Sequence, residues 1–283
     1  MTPHQPAAEA HDTSGAHLPT YEELTAPREV AAGGLYNMRD LGRLPRRDGG
    51  HTRSGVFYRA DDLSALTDAG VTSVLDAGVR TVIDLRRVAY TQREPNPLRE
   101  VSAVRYHHVD MIGPQYRVDP ATLDVEQVDD ATGLPRFPVY HQFRQYSGWL
   151  VERSEAIAAI MRVLAQRDAG PTLFHCRGGK DRTGVIAALL LTLADVPELV
   201  IAADYGHTAR NGLARLRDLP IDTPELPVVR DERAYQRAFC PPELMPILLH
   251  WLRTCYGGVE RYLRRHCGLT EDEIGVLRDK LAG

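Results

Sequence analysis

Several features that would classify this 283-residue sequence at once are missing from it. Cysteine is sparse. Its four copies, Cys176, Cys240, Cys255 and Cys267, form no CxxC pair, so zinc ribbons and thioredoxin-type redox motifs lack support. An even count allows two disulfides, but a chain of this length without a secretion signal favours free thiols in a reducing compartment. Charge of one sign is missing as well: 34 Lys and Arg against 38 Asp and Glu leave −4, which argues against a dedicated nucleic-acid binder. The longest apolar run, Val185 to Ala194 interrupted by Thr192, is too short to cross a bilayer and fits a buried helix, so no stable membrane insertion is expected. The N-terminus has no basic segment followed by an apolar one, hence no signal peptide is read and a cytoplasmic location is expected, although signal-independent secretion would leave no mark. Internal repeats are absent. The remaining composition, 43% apolar and 25% charged, excludes collagenous, disulfide-scaffold and wholly disordered chains. The length allows one large domain or two small ones, either with a real core.

Residues 1–26 are rich in Ala, Pro, Thr, His and Glu and are expected to form a poorly ordered tail, whose His4, His11 and His17 read as solvated. Order is expected from near Leu35. Val56-Phe57-Tyr58 suggests a strand after the turn-rich Asp48-Gly49-Gly50. Thr67 precedes a helical segment with Asp68 in its first turn and Gly78 past its end. Thr81–Leu85 and Val101–Val109 read as strands. Residues 113–138, with four prolines and Asp119, Asp124, Glu126, Asp129 and Asp130, are too long for a plain connection and suggest a functional loop, a lid or a disordered insert. From Val139 the spacing of Phe143, Tyr146, Leu150, Ile157, Ile160 and Leu164 is helical. Thr172–His175 gives a short strand and Val185–Leu193 a helix. Further helices are expected from about Glu198, from Pro241-Pro242, and behind a Thr270/Glu273 capping box. Strands interleaved with helices, then a helical block, indicate an α/β fold.

The informative segment is His175-Cys176-Arg177-Gly178-Gly179-Lys180-Asp181-Arg182-Thr183-Gly184. A loop between an apolar strand and an apolar helix exposes consecutive backbone N–H groups, and the helix N-terminus adds partial positive charge, so together they cradle an anion. Gly178 and Gly179 permit the backbone angles a tight cradle needs. A Walker A loop fails, because it needs Gly where Phe174 stands and Ser or Thr where Asp181 stands. The alternative is a cysteine, five residues, an arginine and a threonine. Thiols beside a helix N-terminus and cations favour the thiolate, and on that reading Cys176 would be the nucleophile. Arg182 can grip two phosphate oxygens with its planar fork. Thr183 can donate its hydroxyl to the sulfur. The chemistry is a two-step hydrolysis: a cysteinyl-phosphate forms, and water then releases phosphate.

Here the sequence resembles the protein tyrosine phosphatase superfamily, with its HCxxxxxR signature followed by Ser or Thr. It is most similar to the bacterial atypical tyrosine and lipid phosphatase group, which carries HCxxGKDRTG where this chain has HCRGGKDRTG. Weaker elements follow in order: Asn37-Met38-Arg39-Asp40-Leu41-Gly42, with Met38 for the usual Phe; Val82-Ile83-Asp84-Leu85-Arg86; Asp204-Tyr205; and Tyr256-Gly257-Gly258. The resemblance spans roughly residues 30–282. It implies a phosphatase-like α/β fold, with a central mixed, mostly parallel sheet flanked by helices and a helical C-terminal block. Residues 27–283 would then form one catalytic domain, with the possible insert at 113–138. It also implies a metal-independent phosphatase without cofactors, acting on phosphotyrosine in proteins, with phosphoserine and phosphothreonine as a wider range. Cys176 would be the nucleophile and Arg182 the clamp, and residues Arg177 to Arg182 would bind phosphate. Lys180 adds a point charge suited to a substrate with more than one phosphate.

Ordinary tyrosine phosphatases take their general acid from a Trp-Pro-Asp loop, but neither Trp149 nor Trp251 precedes Pro-Asp. Asp181 is therefore the first candidate, Asp110 the second and Asp84 the third; Asp84 would more simply pair with Lys180 or Arg86. Arg39 and Asp40 read as a structural ion pair buttressing the site, and His175 as a core histidine fixing the loop. The acids of 113–138 would repel a phosphorylated substrate and are expected to face solvent. Two alternatives stay open: a phosphoinositide phosphatase, favoured by Lys180, and a non-catalytic phosphate-binding module, which would be expected to lack the loop's Cys or Arg. The sequence leaves the oligomeric state open.

Overall fold

The computed structural model describes residues 28–113, 128–129, 134–135, 139–217 and 231–282. The tail and most of the 113–138 insert therefore lie outside the described residues. The strands are β1 (Arg39–Asp40), β2 (Phe57–Ala60), β3 (Thr81–Asp84), β4 (Arg105–His108), β5 (Val128–Asp129), β6 (Leu134–Pro135) and β7 (Thr172–His175). Five of them form one sheet in the order β1-β2-β7-β3-β4, while β5 and β6 pair separately. β1 is antiparallel to β2, and the other three pairings in the large sheet are parallel. This is the mixed, mostly parallel sheet the resemblance implied.

The helices among the described residues are α1 (Asp68–Asp76), α2 (Val88–Arg93), α3 (Val139–Glu152), α4 (Ser154–Ala165), α5 (Asp181–Leu193), α6 (Glu198–Gly206), α7 (Thr208–Arg217), α8 (Glu232–Phe239), α9 (Leu244–Tyr256), α10 (Val259–Arg265) and α11 (Glu271–Ala282). None of these is long and apolar enough to cross a membrane.

Alternation along the strands sorts two cores onto the two faces of the sheet. Phe57, Ile83 and Phe174 join the larger cluster with α3–α6 and the C-terminal helices. Tyr58, Ala60, Val82 and Leu173 join a smaller one with Val74, Leu98 and Val104. Arg59 shares a face with Phe57 and so enters the helical side as a fully buried cation. Helix α5 lies against the sheet with ten residues buried, which is why its apolar run shows no polar face.

Several element limits differ from the sequence expectation, each for a local reason. β4 starts at Arg105, because Pro97–Glu100 forms a 3-10 turn and Val104 N–H closes a further turn on the Val101 carbonyl at 2.9 Å. The helical pattern from Val139 is broken at Arg153, whose backbone leaves helical geometry at φ −120° and ψ 28°. α9 begins at Leu244: the carbonyls of Pro241 and Pro242 accept the N–H groups of Leu244 and Met245 at 3.1 and 3.2 Å, so the prolines form its lead-in turn. α5 begins four residues before the apolar run, its polar first turn being hidden from periodicity. The capping box of α11 forms in both directions: Thr270 N–H donates to Glu273 Oε2 at 2.8 Å and Glu273 N–H to Thr270 Oγ1 at 3.2 Å.

Candidate active site

The parallel register aligns Ala60, Asp84 and His175 at the carboxyl ends of β2, β3 and β7. The chain leaves β7 there, turns through residues 176–180 and enters α5 at Asp181. Such an edge, facing a helix N-terminus, is where open α/β sheets bind ligands. Cys176 is 1% exposed at the base of the turn, while Arg177 and Gly178 face solvent. Gly179 has φ +61°, and a Cβ there would lie 2.6 Å from the Ala60 carbonyl oxygen and 2.8 Å from Asn37 Nδ2, so only glycine fits.

The loop's outward-turned carbonyls are held from below. Arg59 Nη2 donates to the Gly179 carbonyl at 2.8 Å, and Asn37 Nδ2 to the Gly178 and Gly179 carbonyls at 3.0 and 3.3 Å. Asp62 N–H donates to the Arg177 carbonyl at 3.1 Å. Asp204, buried in α6, fixes this layer by accepting from Arg28 at 2.7 Å, Arg39 at 3.1 Å and Arg59 at 2.6 Å. Burial raises the Asp204 pKa, but Arg39, Arg59 and Arg28 outweigh it and hold the carboxyl well below its usual range. Arg39, lowered to about 10 by burial and by Arg59, still carries its charge. Three guanidiniums thus meet at the one Asp204 carboxylate beneath the loop.

A second buttress stands on the β3 side. Arg86 grips Asp84 at 2.7 Å and Asp62 at 2.7 Å, both ends buried. Asp84 also accepts from Tyr106 at 2.9 Å. His175, fully buried, contacts the Cys176 carbonyl at 3.1 Å, Asn96 at 3.2 Å and Asp84 at 3.4 Å. Burial pushes Asp84 up, yet His175 and Arg86 prevail and keep it far below the carboxylate norm. It pairs with Arg86 and not with Lys180.

The acid candidates are thus separated. Asp110 is committed to a turn, accepting from Gly113 N–H at 2.8 Å, Ile112 N–H at 3.1 Å and Val88 N–H at 3.3 Å. Asp181 alone sits in the loop itself, half-buried in the first turn of α5, with Oδ1 held by the Tyr146 hydroxyl and 3.6 Å from Lys180 Nζ. Lys180 lies 5.6 Å above the Phe239 ring; burial opposes its charge, but Asp181 raises its pKa above the usual value. Arg182 is anchored by one nitrogen, Nη1, on the Leu85 carbonyl at 3.0 Å. The Thr183 hydroxyl is buried and makes no hydrogen bond among the described residues, the expected bond to the sulfur included. Arg177 extends over the Tyr90 ring at 5.0 Å.

Arg39 and Asp40 do not pair with each other. Successive strand residues point to opposite faces, so Arg39 goes to Asp204, whereas Asp40 accepts from Gly42 N–H at 2.8 Å and Gly55 N–H at 2.7 Å, shaping a turn. All four cysteines are free, with Cys240 pushed up to about 12 and Cys267 to about 11 by burial. Among the described residues no three His, Cys, Asp or Glu side chains are grouped to hold a metal. Arg28, Arg59, Asp62 and Tyr146 belong to no motif, Tyr146 reading only as one position of the helical spacing from Val139. The one available signal was a charged residue inside the apolar run Phe57-Tyr58-Arg59-Ala60.

Comparison with known proteins agrees with this geometry. The sequence model described as tyrosine phosphatase family matches residues 30–283. A tyrosine-protein phosphatase from Nostoc commune is 30% identical over 80% of this chain and 74% of its own length. A triple specificity protein phosphatase, PtpB, from Mycobacterium tuberculosis is 28% identical over 88% of this chain and 98% of its own.

Proposed function

The chain belongs to the tyrosine phosphatase family, and from that premise we propose that it hydrolyses phosphotyrosine through a cysteinyl-phosphate held by the loop from Cys176 to Arg182. The carrying observation is the cysteine enclosed between a buried strand end and a helix N-terminus, with Arg182 anchored six residues on.

In the first step the Cys176 sulfur attacks phosphorus as the ester P–O bond breaks, and Asp181 gives its proton to the departing phenol oxygen. In the second, water attacks the phosphocysteine, its proton passes to Asp181, and the sulfur leaves as thiolate. The Arg182 fork and the loop amides bear on the non-bridging oxygens, where charge shifts most. The loop amides and the N-terminus of α5 favour an anion over a neutral ligand. A phenolate is a weak base, so phosphotyrosine asks less of the acid than an alkyl phosphate does.

The name of the Mycobacterium relative supports a range wider than phosphotyrosine, including phosphoserine and phosphothreonine. Lys180 keeps the phosphoinositide reading as the second one, since its charge persists in a half-buried position beside the loop. Phosphate release from a phosphotyrosine peptide and from soluble phosphoinositides, measured with EDTA for wild type and Cys176→Ser, tests both. We expect wild-type turnover to survive EDTA, the variant to fall to background and the peptide to be preferred. A variant as active as wild type overturns the cysteine mechanism, and a strong lipid preference exchanges the two substrate readings.

A further inference from the structure

Asp181 does not hang freely from the loop. Tyr146, on α3, is fully buried, with its ring stacked on Trp149 at 5.2 Å and edge-on to Tyr205 at 6.5 Å. Its hydroxyl donates to Asp181 Oδ1 and lies 2.8 Å from the Tyr205 hydroxyl. A phenol has one proton. As Tyr146 gives its own to Asp181, Tyr205 must donate to Tyr146, and the chain runs from Tyr205 through Tyr146 to Asp181. Burial and the Asp181 charge hold both phenols well above their usual range, so both remain donors throughout the working pH range. Lys180 Nζ approaches the same Oδ1, at 3.6 Å. Among the described residues Cys240 and Tyr235, both raised chiefly by burial, and Arg59, which acts on Tyr205, also face this corner.

We propose that Tyr146, braced by Tyr205, is a positioning residue that holds the Asp181 carboxyl by Oδ1 and so leaves Oδ2 to carry the proton exchanged with the leaving group and then with water. This rests on the phosphatase reading above. The proton moves from Asp181 Oδ2 to the ester oxygen as the S–P bond forms and the P–O bond breaks; in the second step it returns from water as the S–P bond breaks. Neither tyrosine gives up its own proton. The arrangement also accounts for the adjacent pair Asp204-Tyr205: one residue secures the loop's carbonyls through arginines, and the next secures its acid through Tyr146.

The test is the dependence of kcat/KM on the leaving group, for Tyr146→Phe, which keeps the stacked ring, and for Tyr205→Phe. For p-nitrophenyl phosphate, whose leaving group needs little protonation, Tyr146→Phe should change kcat/KM by less than about 2-fold. For phenyl phosphate and a phosphoserine peptide it should fall roughly 10- to 100-fold with KM little changed, as for a misplaced acid. Tyr205→Phe should give the same pattern with a smaller loss. An equal loss on all substrates, or none, overturns the proposal, because loosened packing does not discriminate between leaving groups. A wild type inactive in EDTA, or an active Cys176→Ser, would instead bring down the phosphatase reading, so the two failures are distinguishable.

Discussion

Arg182 illustrates why charge alone does not specify this site. Its Nη1 is committed to the Leu85 carbonyl at 3.0 Å, which fixes the plane of the guanidinium and leaves the rest of the fork for an anion. A lysine would keep the charge but has a flexible point-like head, with no plane to fix and no paired donors. Arg182→Lys is therefore expected to lower kcat/KM for a phosphotyrosine peptide by on the order of 100-fold, the usual cost of losing one oriented donor to transition-state charge. Steady-state kinetics beside a thermal melt checks this; near-normal turnover would show that net charge suffices. Arg59 makes the complementary point. It supports the loop without facing the substrate side, through Asp204 and the Gly179 carbonyl. Cys176 and Arg182 were legible because their chemistry lies within ten consecutive residues. Arg59 and Asp204 are 145 residues apart and meet only when β2 and α6 pack.

Among the elements, the turn between β7 and α5 has the tightest tolerance. The strand end, the Asn37 side chain and the Ala60 carbonyl enclose Gly179 on the side where a Cβ would point. Gly179→Ala must either shift the loop away from Ala60 and Asn37 or abandon φ +61°, and each choice tilts the amides that should face phosphate. The expected outcome is destabilisation of at least about 1 kcal/mol, from strain at a left-handed position, together with a large loss of turnover. Urea denaturation and phosphate affinity measured on the same variant check it; wild-type phosphate affinity would mean that the loop tolerates a Cβ at this position. The strand cores, α1 and the capped α11 follow directly from pattern. The first turn of α5 does not, because Asp181, Arg182 and Thr183 carry no apolar periodicity, and the helix is announced only from Val185. Likewise Pro241-Pro242 marks the region of α9 but not its first turn, since carbonyls rather than ring geometry start the helix there.

For the molecule as a whole, an overall charge of −4 conceals how the charges are placed. Buried ionised groups cluster at the carboxyl edge of the sheet, and this ties stability to pH in two stages. His207, buried beside that cluster, is lowered from 6.5 to about 4, chiefly by burial. Between those values the unfolded chain binds the proton and the native one does not, so stability falls as pH drops from about 6.5 towards 4. His107, also lowered by burial and by Arg105, acts in the same sense, whereas Asp40, Asp61 and Glu232, raised chiefly by burial, act against it and make the net slope shallow. Asp84 and Asp204 lie on the other side of the window. Despite burial, His175 and Arg86 hold the first, and Arg39, Arg59 and Arg28 hold the second, below the range of a free carboxyl. An unfolded aspartate takes its proton near about 3.9, so their contributions are complete above that pH and are lost as pH falls below it. Urea midpoints between pH 7 and pH 3 should thus decline gently to about pH 4 and more steeply below. His207→Gln should flatten the upper stage and leave the lower one in place. An unchanged upper stage in that variant would remove His207 from the account, and no steepening below pH 4 would mean that the arginine-held carboxylates do not set the molecule's acid limit.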